Sequence, residues 1–295
     1  MRAEQQGNCI IVYDVKDFDA DHVFDCGQCF RWNREKDGSY TGVASGRSAN
    51  ISFVAGNFQD GGTLRIDNCT LEDFRDFWCG YLDLGRDYGE IKRRITENDS
   101  VMRKAAEFGS GIRLLRQDPW ETVISFIISQ NSNIPRIKKC IEKLCTMFGD
   151  PAGEYRGEMR YAFPRPEQLA CLTRDDLAPV KLGYRDKYIL STAADVARDG
   201  GASLAAAAGM NHDDAQKEIR KLKGVGPKVA DCILLFGLHK YDSFPLDVWM
   251  KKIMNKLYGF DEDDTRGMDA YARSRYGELS GFAQQYLYYY ARFNL

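Results

Sequence analysis

The chain has 295 residues, 44% of them hydrophobic, enough for two or three compact units with an apolar core. Its 41 lysines and arginines nearly balance 43 aspartates and glutamates, and the net charge of −2 excludes a globally basic nucleic-acid binder. Nine cysteines, an odd number scattered through apolar contexts, point away from a disulfide framework. With no leader-like or long apolar stretch in view, they predict a reducing, intracellular home away from membranes.

The first β-prone runs are Ile10–Val15, Cys29–Trp32, Tyr40–Val43, Ile51–Val54 and Leu64–Ile66, divided by turn signals at Asp37-Gly38, Ser45-Gly46 and Gly61-Gly62. They predict an antiparallel sheet domain over 1–105, completed by helices at Leu71–Leu82 and 87–105. Cys26-Gly27-Gln28-Cys29 is a CxxC, but no second pair or HxxxH partner brings the ligand count to the four that structural zinc needs. From about 106 the period becomes helical. Asp118-Pro119-Trp120-Glu121 reads as a helix start with N-cap, N1 proline and a reciprocal glutamate at N3. The run 123–128 is apolar nearly all round, so its helix is buried, yet it stops in the polar cluster Ser129-Gln130-Asn131-Ser132-Asn133. Further helices are predicted at 134–148, 167–172, 175–179, 187–197, 213–222, 227–238, 248–258, 267–274 and 279–291. The fold class is α+β: an N-terminal antiparallel sheet domain, then a helical body over 106–295. Two basic clusters, Arg136/Lys138/Lys139/Lys143 and Lys217/Arg220/Lys221/Lys223/Lys228, form either a local basic face or solvated helix faces.

The densest chemistry lies in KLKGVGPKVADCILLFGLHKYDSFPLD, residues 221–247. Gly224 and Gly226 carry no Cβ, so backbone N–H groups between two helices can close on a phosphate. Pro227 suits the first helical position. That places Lys228 in the first turn, where the positive end of the helix dipole disfavours an ammonium and favours a neutral amine nucleophile. Asp247, 19 residues on, is either an electrostatic partner for that lysine or a simple N-cap for 248–258.

The hairpin, spanning 213–238 with its helices, resembles the helix-hairpin-helix glycosylases that excise damaged DNA bases. GQCFRW (27–32), LLRQDPWE (114–121), SQNSNIPRI (129–137), LGYRDKYI (182–189), VGPKVADC (225–232) and FAQQYLYYY (282–290) are similar, in order, to segments of the 8-oxoguanine DNA glycosylase family. By that resemblance Asn131 fills the gap left by a flipped base, Arg136 and Arg185 bond the widowed cytosine, and Tyr184 wedges beside it. The carbonyl of Gly27 reads the N7 proton that distinguishes 8-oxoguanine from guanine. Gln284 bonds the flipped purine's Watson–Crick edge. Tyr288, where the family usually has phenylalanine, stacks on one base face, and Cys232 covers the other. Gly224 and Gly226 hold phosphate. Trp249 stands where some members carry a phosphate-contacting histidine. Ser132 breaks an asparagine run found in some members.

The resemblance implies a monomeric, bifunctional enzyme on double-stranded DNA, without metal or cofactor: Lys228 attacks, Asp247 stabilises charge growing at the sugar, and the C-terminal helix closes the base pocket. It implies action in the cytoplasm or nucleoid of a bacterium, or the nucleus of a eukaryote. Two other readings remain: a monofunctional alkylbase glycosylase, which has no use for Lys228, and a non-catalytic DNA-binding hairpin, which leaves Asp247 and Gln284 unexplained.

Overall fold

The computed structural model describes residues 1–56 and 61–295. Six strands form one fully antiparallel sheet: β1 (Arg2–Gln6), β2 (Cys9–Val15), β3 (Trp32–Arg34), β4 (Tyr40–Ala44), β5 (Arg47–Val54) and β6 (Gly62–Asp67), in the order β1-β2-β6-β5-β4-β3. The register aligns Ile10, Ile66, Ile51 and Tyr40 across four neighbouring strands, all four fully buried. This row of cross-strand apolar pairs fixes which face of the sheet becomes core. The short helix α1 (Ala20–Phe24), capped by Asp19, follows β2. It was not expected, because five residues are too few to show a helical period. The run Cys29–Trp32 is strand only from Trp32. Residues 25–31 turn instead, with Gly27 at φ +87°, a conformation a strand cannot hold.

A continuous helical stretch follows the sheet: α2 (Leu71–Asp73), a π-helical turn over Phe74–Trp78, and α3 (Cys79–Tyr81). The expected helix at 87–105 is two helices, α4 (Tyr88–Ile95) and α5 (Ser100–Phe108), because Asp99 caps the second with a side-chain bond to the Met102 N–H. Then come α6 (Pro119–Ser129) and α7 (Ile134–Phe148), and after them a β-hairpin absent from the sequence reading, β7 (Pro151–Tyr155) with β8 (Glu158–Tyr161). Mostly polar and exposed, it had no alternation to betray it. The remainder is helical: α8 (Pro166–Ala170), α9 (Arg174–Leu177), α10 (Asp186–Asp199), α11 (Ala202–Gly209), α12 (His212–Ile219), α13 (Pro227–Phe236), α14 (Val248–Tyr258), α15 (Thr265–Tyr276) and α16 (Ser280–Asn294). Among them only α11 was unexpected. Its alanine-rich sequence carries too few large apolar residues to show a face.

Two apolar clusters underlie this arrangement. One gathers sheet residues with Phe24, Trp32, Trp78 and Leu82; the other runs from Phe30 and Tyr88 through α6, α7, α10 and α13 to α16. Segment 25–31 lies at their join, contributing Cys29 to the first and Cys26 and Phe30 to the second. No helix among the described residues is long and apolar enough to cross a membrane.

Candidate active site

Gln28 holds the turn 25–31 in place. Fully buried, its side chain donates to the carbonyls of Val23 (2.8 Å) and Arg113 (2.7 Å) and accepts from the Leu115 N–H (2.8 Å). The carbonyls flanking Gly27 are also taken: Gln285 donates to Cys26 (2.7 Å) and Gln117 to Gln28 (2.8 Å). Among the described residues no protein donor meets the Gly27 carbonyl itself. The thiols of Cys26 and Cys29 donate to carbonyls of α1, and burial pushes both well up from the ordinary thiol range. They act here as buried apolar groups.

Opposite Gly27 stands α16. A Cβ on Gly27 would come within 3.2 Å of Tyr288 Cε1 and 3.7 Å of its hydroxyl, so the tyrosine ring lies against the glycine backbone. Burial, then the charge of Asp247, push the Tyr288 hydroxyl up to about 12, with Cys232 and Cys26 adding smaller pushes. One ring therefore lies in the field of groups from the turn, the hairpin helix and the start of α14. Gln284, one turn earlier, is buried, and its Oε1 has no hydrogen-bond partner. An orphaned buried acceptor costs about 1–3 kcal/mol and marks a group built to meet something else.

The hairpin bears out its sequence. Gly224 has φ +88°, and a Cβ there would strike Tyr188 Cγ at 2.5 Å, so both backbone and packing demand glycine. Gly226, the N-cap of α13, is extended, and a Cβ would meet nothing within 4 Å. Packing within the described residues therefore does not require glycine there. Pro227 opens the helix and Lys228 follows in its first turn.

The charge state of Lys228 departs from the helix-dipole expectation. Its ammonium is held above the ordinary lysine value, first by the sulfur of Cys232 one turn on, against the opposing effect of burial, with Asp247 adding to the hold. The Cys232 thiol is itself pushed up to about 11 by burial, with Lys228 pulling the other way. With the Cys232 thiol neutral at neutral pH, the standing anionic neighbour is Asp247. At neutral pH the site holds an ammonium, and the amine must shed a proton before it can attack. Asp247 caps α14 by accepting from the Met250 N–H at 2.7 Å, and its charge acts on Lys228 from there. Cap and charge partner turn out to be compatible roles.

The expected opposite-base group divides in two. Asn131 lies in the turn after α6, at φ +47°, and is exposed. Arg185 is buried and clamps that turn: Nε donates to the Gln130 carbonyl (2.9 Å), Nη2 to Gln130 and Asn131 (3.0 Å to the latter), and Nη1 to Leu182 (3.0 Å). Arg136 is exposed on the first turn of α7, which Asn133 caps. Tyr184 is 45% exposed, stands over the Arg185 guanidinium at 4.6 Å and packs edge-on against Tyr188. Tyr188 therefore couples Tyr184 to the hairpin under Gly224. The sequence reading passed over it, though it sits four residues after Tyr184 in the same segment. Trp249 is exposed beside Val248 at the start of α14, with Lys252 over its ring at 5.2 Å. Of the basic clusters, Lys138 turns inward to the Trp32 carbonyl, and Lys217 and Lys221 pair with Asp214 and Glu218. Glu121 also departs from expectation. Asp118 accepts from the Glu121 N–H, but the carboxyl does not return the bond. It lies in the field of the buried Arg31, half-buried itself, and burial pushes it up to about 7.

A β-sheet domain joined to a helical body, with a glycine hairpin presenting a lysine near an aspartate, defines a helix-hairpin-helix base-excision glycosylase fold. The chain belongs to that family: residues 124–276 match the HhH-GPD superfamily of base excision DNA repair proteins, and residues 10–123 match the 8-oxoguanine DNA glycosylase N-terminal domain. It is 36% identical over 214 residues to a probable N-glycosylase/DNA lyase of Methanothermobacter thermautotrophicus, covering 66% of this chain and 68% of that one. It is 30% identical over 292 residues to the N-glycosylase/DNA lyase OGG1 of Arabidopsis thaliana, covering 90% and 75%. The solved Clostridium acetobutylicum 8-oxoguanine glycosylase/lyase, bound to duplex DNA with cytosine opposite 8-oxoguanine, is 41% identical with a TM-score of 0.93, covering 100% of this chain and 98% of that one.

Proposed function

We propose that this chain is a bifunctional DNA repair glycosylase that flips and excises 8-oxoguanine, preferentially opposite cytosine, and then nicks the abasic strand. The sheet domain (1–105) and the helical body (106–295) serve as its two working parts. The observation that carries the reading is the position of Tyr288, against Gly27 and within the field of Asp247 and Cys232, which draws together residues more than 200 positions apart. In this reading Gln284 Oε1 meets the purine's N–H groups and the Gly27 carbonyl meets the N7 proton. Guanine offers a lone pair there, so discrimination rests on a made versus frustrated bond, worth about 1–3 kcal/mol.

Lys228 Nζ, once neutral, attacks C1′, and the bond to the base breaks with its electron pair going to the base, which is then protonated. The C1′–O4′ bond then breaks, O4′ takes up the proton that the amine gives, and the opened sugar is left joined to Lys228 as a Schiff base. Loss of a C2′ proton then expels the 3′ phosphate, which nicks the strand. Asp247 stabilises the positive charge that develops at the sugar. Gly224 and Gly226 hold phosphate, Asn131 and Tyr184 fill and wedge the stack, Arg136 reads the opposite cytosine, and Arg185 supports the loop from which it is read. Trp249 borders the same DNA face. The partner is double-stranded DNA, wherever the cell keeps it, and the protein works as a monomer.

Borohydride trapping on duplexes carrying 8-oxoguanine opposite cytosine tests this. The wild type should form a covalent adduct. Lys228→Gln should form none and excise no base, yet bind lesion DNA with nearly unchanged affinity. Ordinary nicking by Lys228→Gln would remove the nucleophile assignment.

A further inference from the structure

We propose that Phe126 is a positioning residue for the nucleophile, holding the Lys228 ammonium over its ring and fixing the amine's place relative to both base-reading elements. The inference rests on Lys228 being the nucleophile. Lys228 Nζ stands 5.7 Å from the centroid of the Phe126 ring, within reach of a cation–π interaction. Phe126 is buried on the inner side of α6 and locked on two further sides. Phe236, at the far end of the lysine's own helix, stacks on it (5.4 Å, 10° between planes), and Phe30, three residues after Gly27, meets it edge-on (5.7 Å, 70°).

A ring so held cannot turn away from the charge. It joins three elements: the helix that presents the amine, the turn that carries Gly27, and the helix that leads into the turn of Asn131. The negative ring face favours the ammonium and has little pull on the neutral amine, so it opposes deprotonation while it aligns the group. Among the described residues the ionisable groups that act on the lysine are Cys232 on α13 and Asp247 at the cap of α14. Phe126 contributes the uncharged remainder of this enclosure.

The test measures imine formation on abasic duplex DNA by borohydride trapping, as a function of pH. The proteins are the wild type, Phe126→Leu, and a protein with a ring-fluorinated phenylalanine at position 126. Fluorination keeps the shape but drains the ring face, so the acid limb should move down by about half a pH unit or more. Imine formation on that limb should rise about threefold, with the plateau within about twofold of wild type. Phe126→Leu should show the same shift and a plateau lowered about tenfold, since the amine loses its support. An acid limb unmoved by fluorination overturns the proposal. No adduct from the wild type at any pH would overturn the lysine assignment beneath it.

Discussion

Replacing Gly27 with alanine puts a methyl group against the Tyr288 ring. Gly27 sits at φ +87°, so the new side chain costs about 1–3 kcal/mol in backbone strain before it touches anything. Its Cβ would then lie 3.2 Å from Tyr288 Cε1, close enough that the ring or the turn must give by a few tenths of an ångström. The turn is pinned by Gln28, Gln117 and Gln285 through bonds of 2.7–2.8 Å, so the displacement falls on the Gly27 carbonyl and the Tyr288 ring. Both are base-contacting groups in the proposed site. Misplacement on the ångström scale costs a rate factor of roughly 100, and a shift of a few tenths should cost about tenfold.

Two measurements separate strain from function. Urea unfolding should show Gly27→Ala less stable by about 1–3 kcal/mol, still folded and cooperative. Single-turnover excision of 8-oxoguanine opposite cytosine should fall about tenfold or more, with the preference over guanine narrowed. A variant that loses stability but keeps full rate and full discrimination would show that N7 is read elsewhere.

The other expectations are simpler. Gly226→Ala should fold as well as the wild type, within about 0.5 kcal/mol, since its Cβ meets no protein atom, yet bind duplex DNA more weakly in a filter or anisotropy titration. Gly224→Ala should lose on the order of 2 kcal/mol or more by urea unfolding, from its φ of +88° and the collision with Tyr188, and equal stability of the two variants would refute this division. For Glu121, burial raises the carboxyl from 4.5 to about 7, against the pull of Arg31. A raised folded value means stability that is full below 4.5 and lost as pH rises through 7. The ceiling is about 3 kcal/mol at roughly 1.4 per pH unit, and solvent reaching the half-buried group leaves about 1–2. Glu121→Gln should therefore flatten the pH dependence of the urea midpoint between pH 5 and about 8, and an unchanged slope would refute it. Arg136→Ala should narrow the cytosine-over-adenine excision ratio with little change in folding. Arg185→Ala should destabilise the fold by on the order of 2–3 kcal/mol, because the Gln130, Asn131 and Leu182 carbonyls lose their donors.

What could be read from residues alone follows from how local each determinant is. The hairpin was legible because glycine, glycine and proline at fixed spacing each answer a local backbone demand. The central strands of the sheet were legible because alternation and turn residues lie within a few positions of one another. The β7–β8 hairpin was not, since its stability comes from packing on β5 rather than from any pattern of its own. Cys29–Trp32 read as a strand, yet a fully buried Gln28 whose bonds reach 85 and more positions along the chain makes that segment turn.

The charge of Lys228 shows the same limit inside the site. Its first-turn position is local and argues for an easily lost proton. Its environment includes Cys232 on the same helix, Asp247 nineteen residues on, and Phe126 more than 100 residues back. Those partners reverse the sign. A lysine held as an ammonium is a poor nucleophile until something removes its proton, so the resting site is organised to keep the amine in place and inactive. Excision then depends on the event that lowers this hold. The arriving nucleotide is the natural candidate, because a base seated against Cys232 alters the surroundings of a group that lies beside the amine. Position along a helix told where the amine would stand; only the packed neighbours tell when it can act.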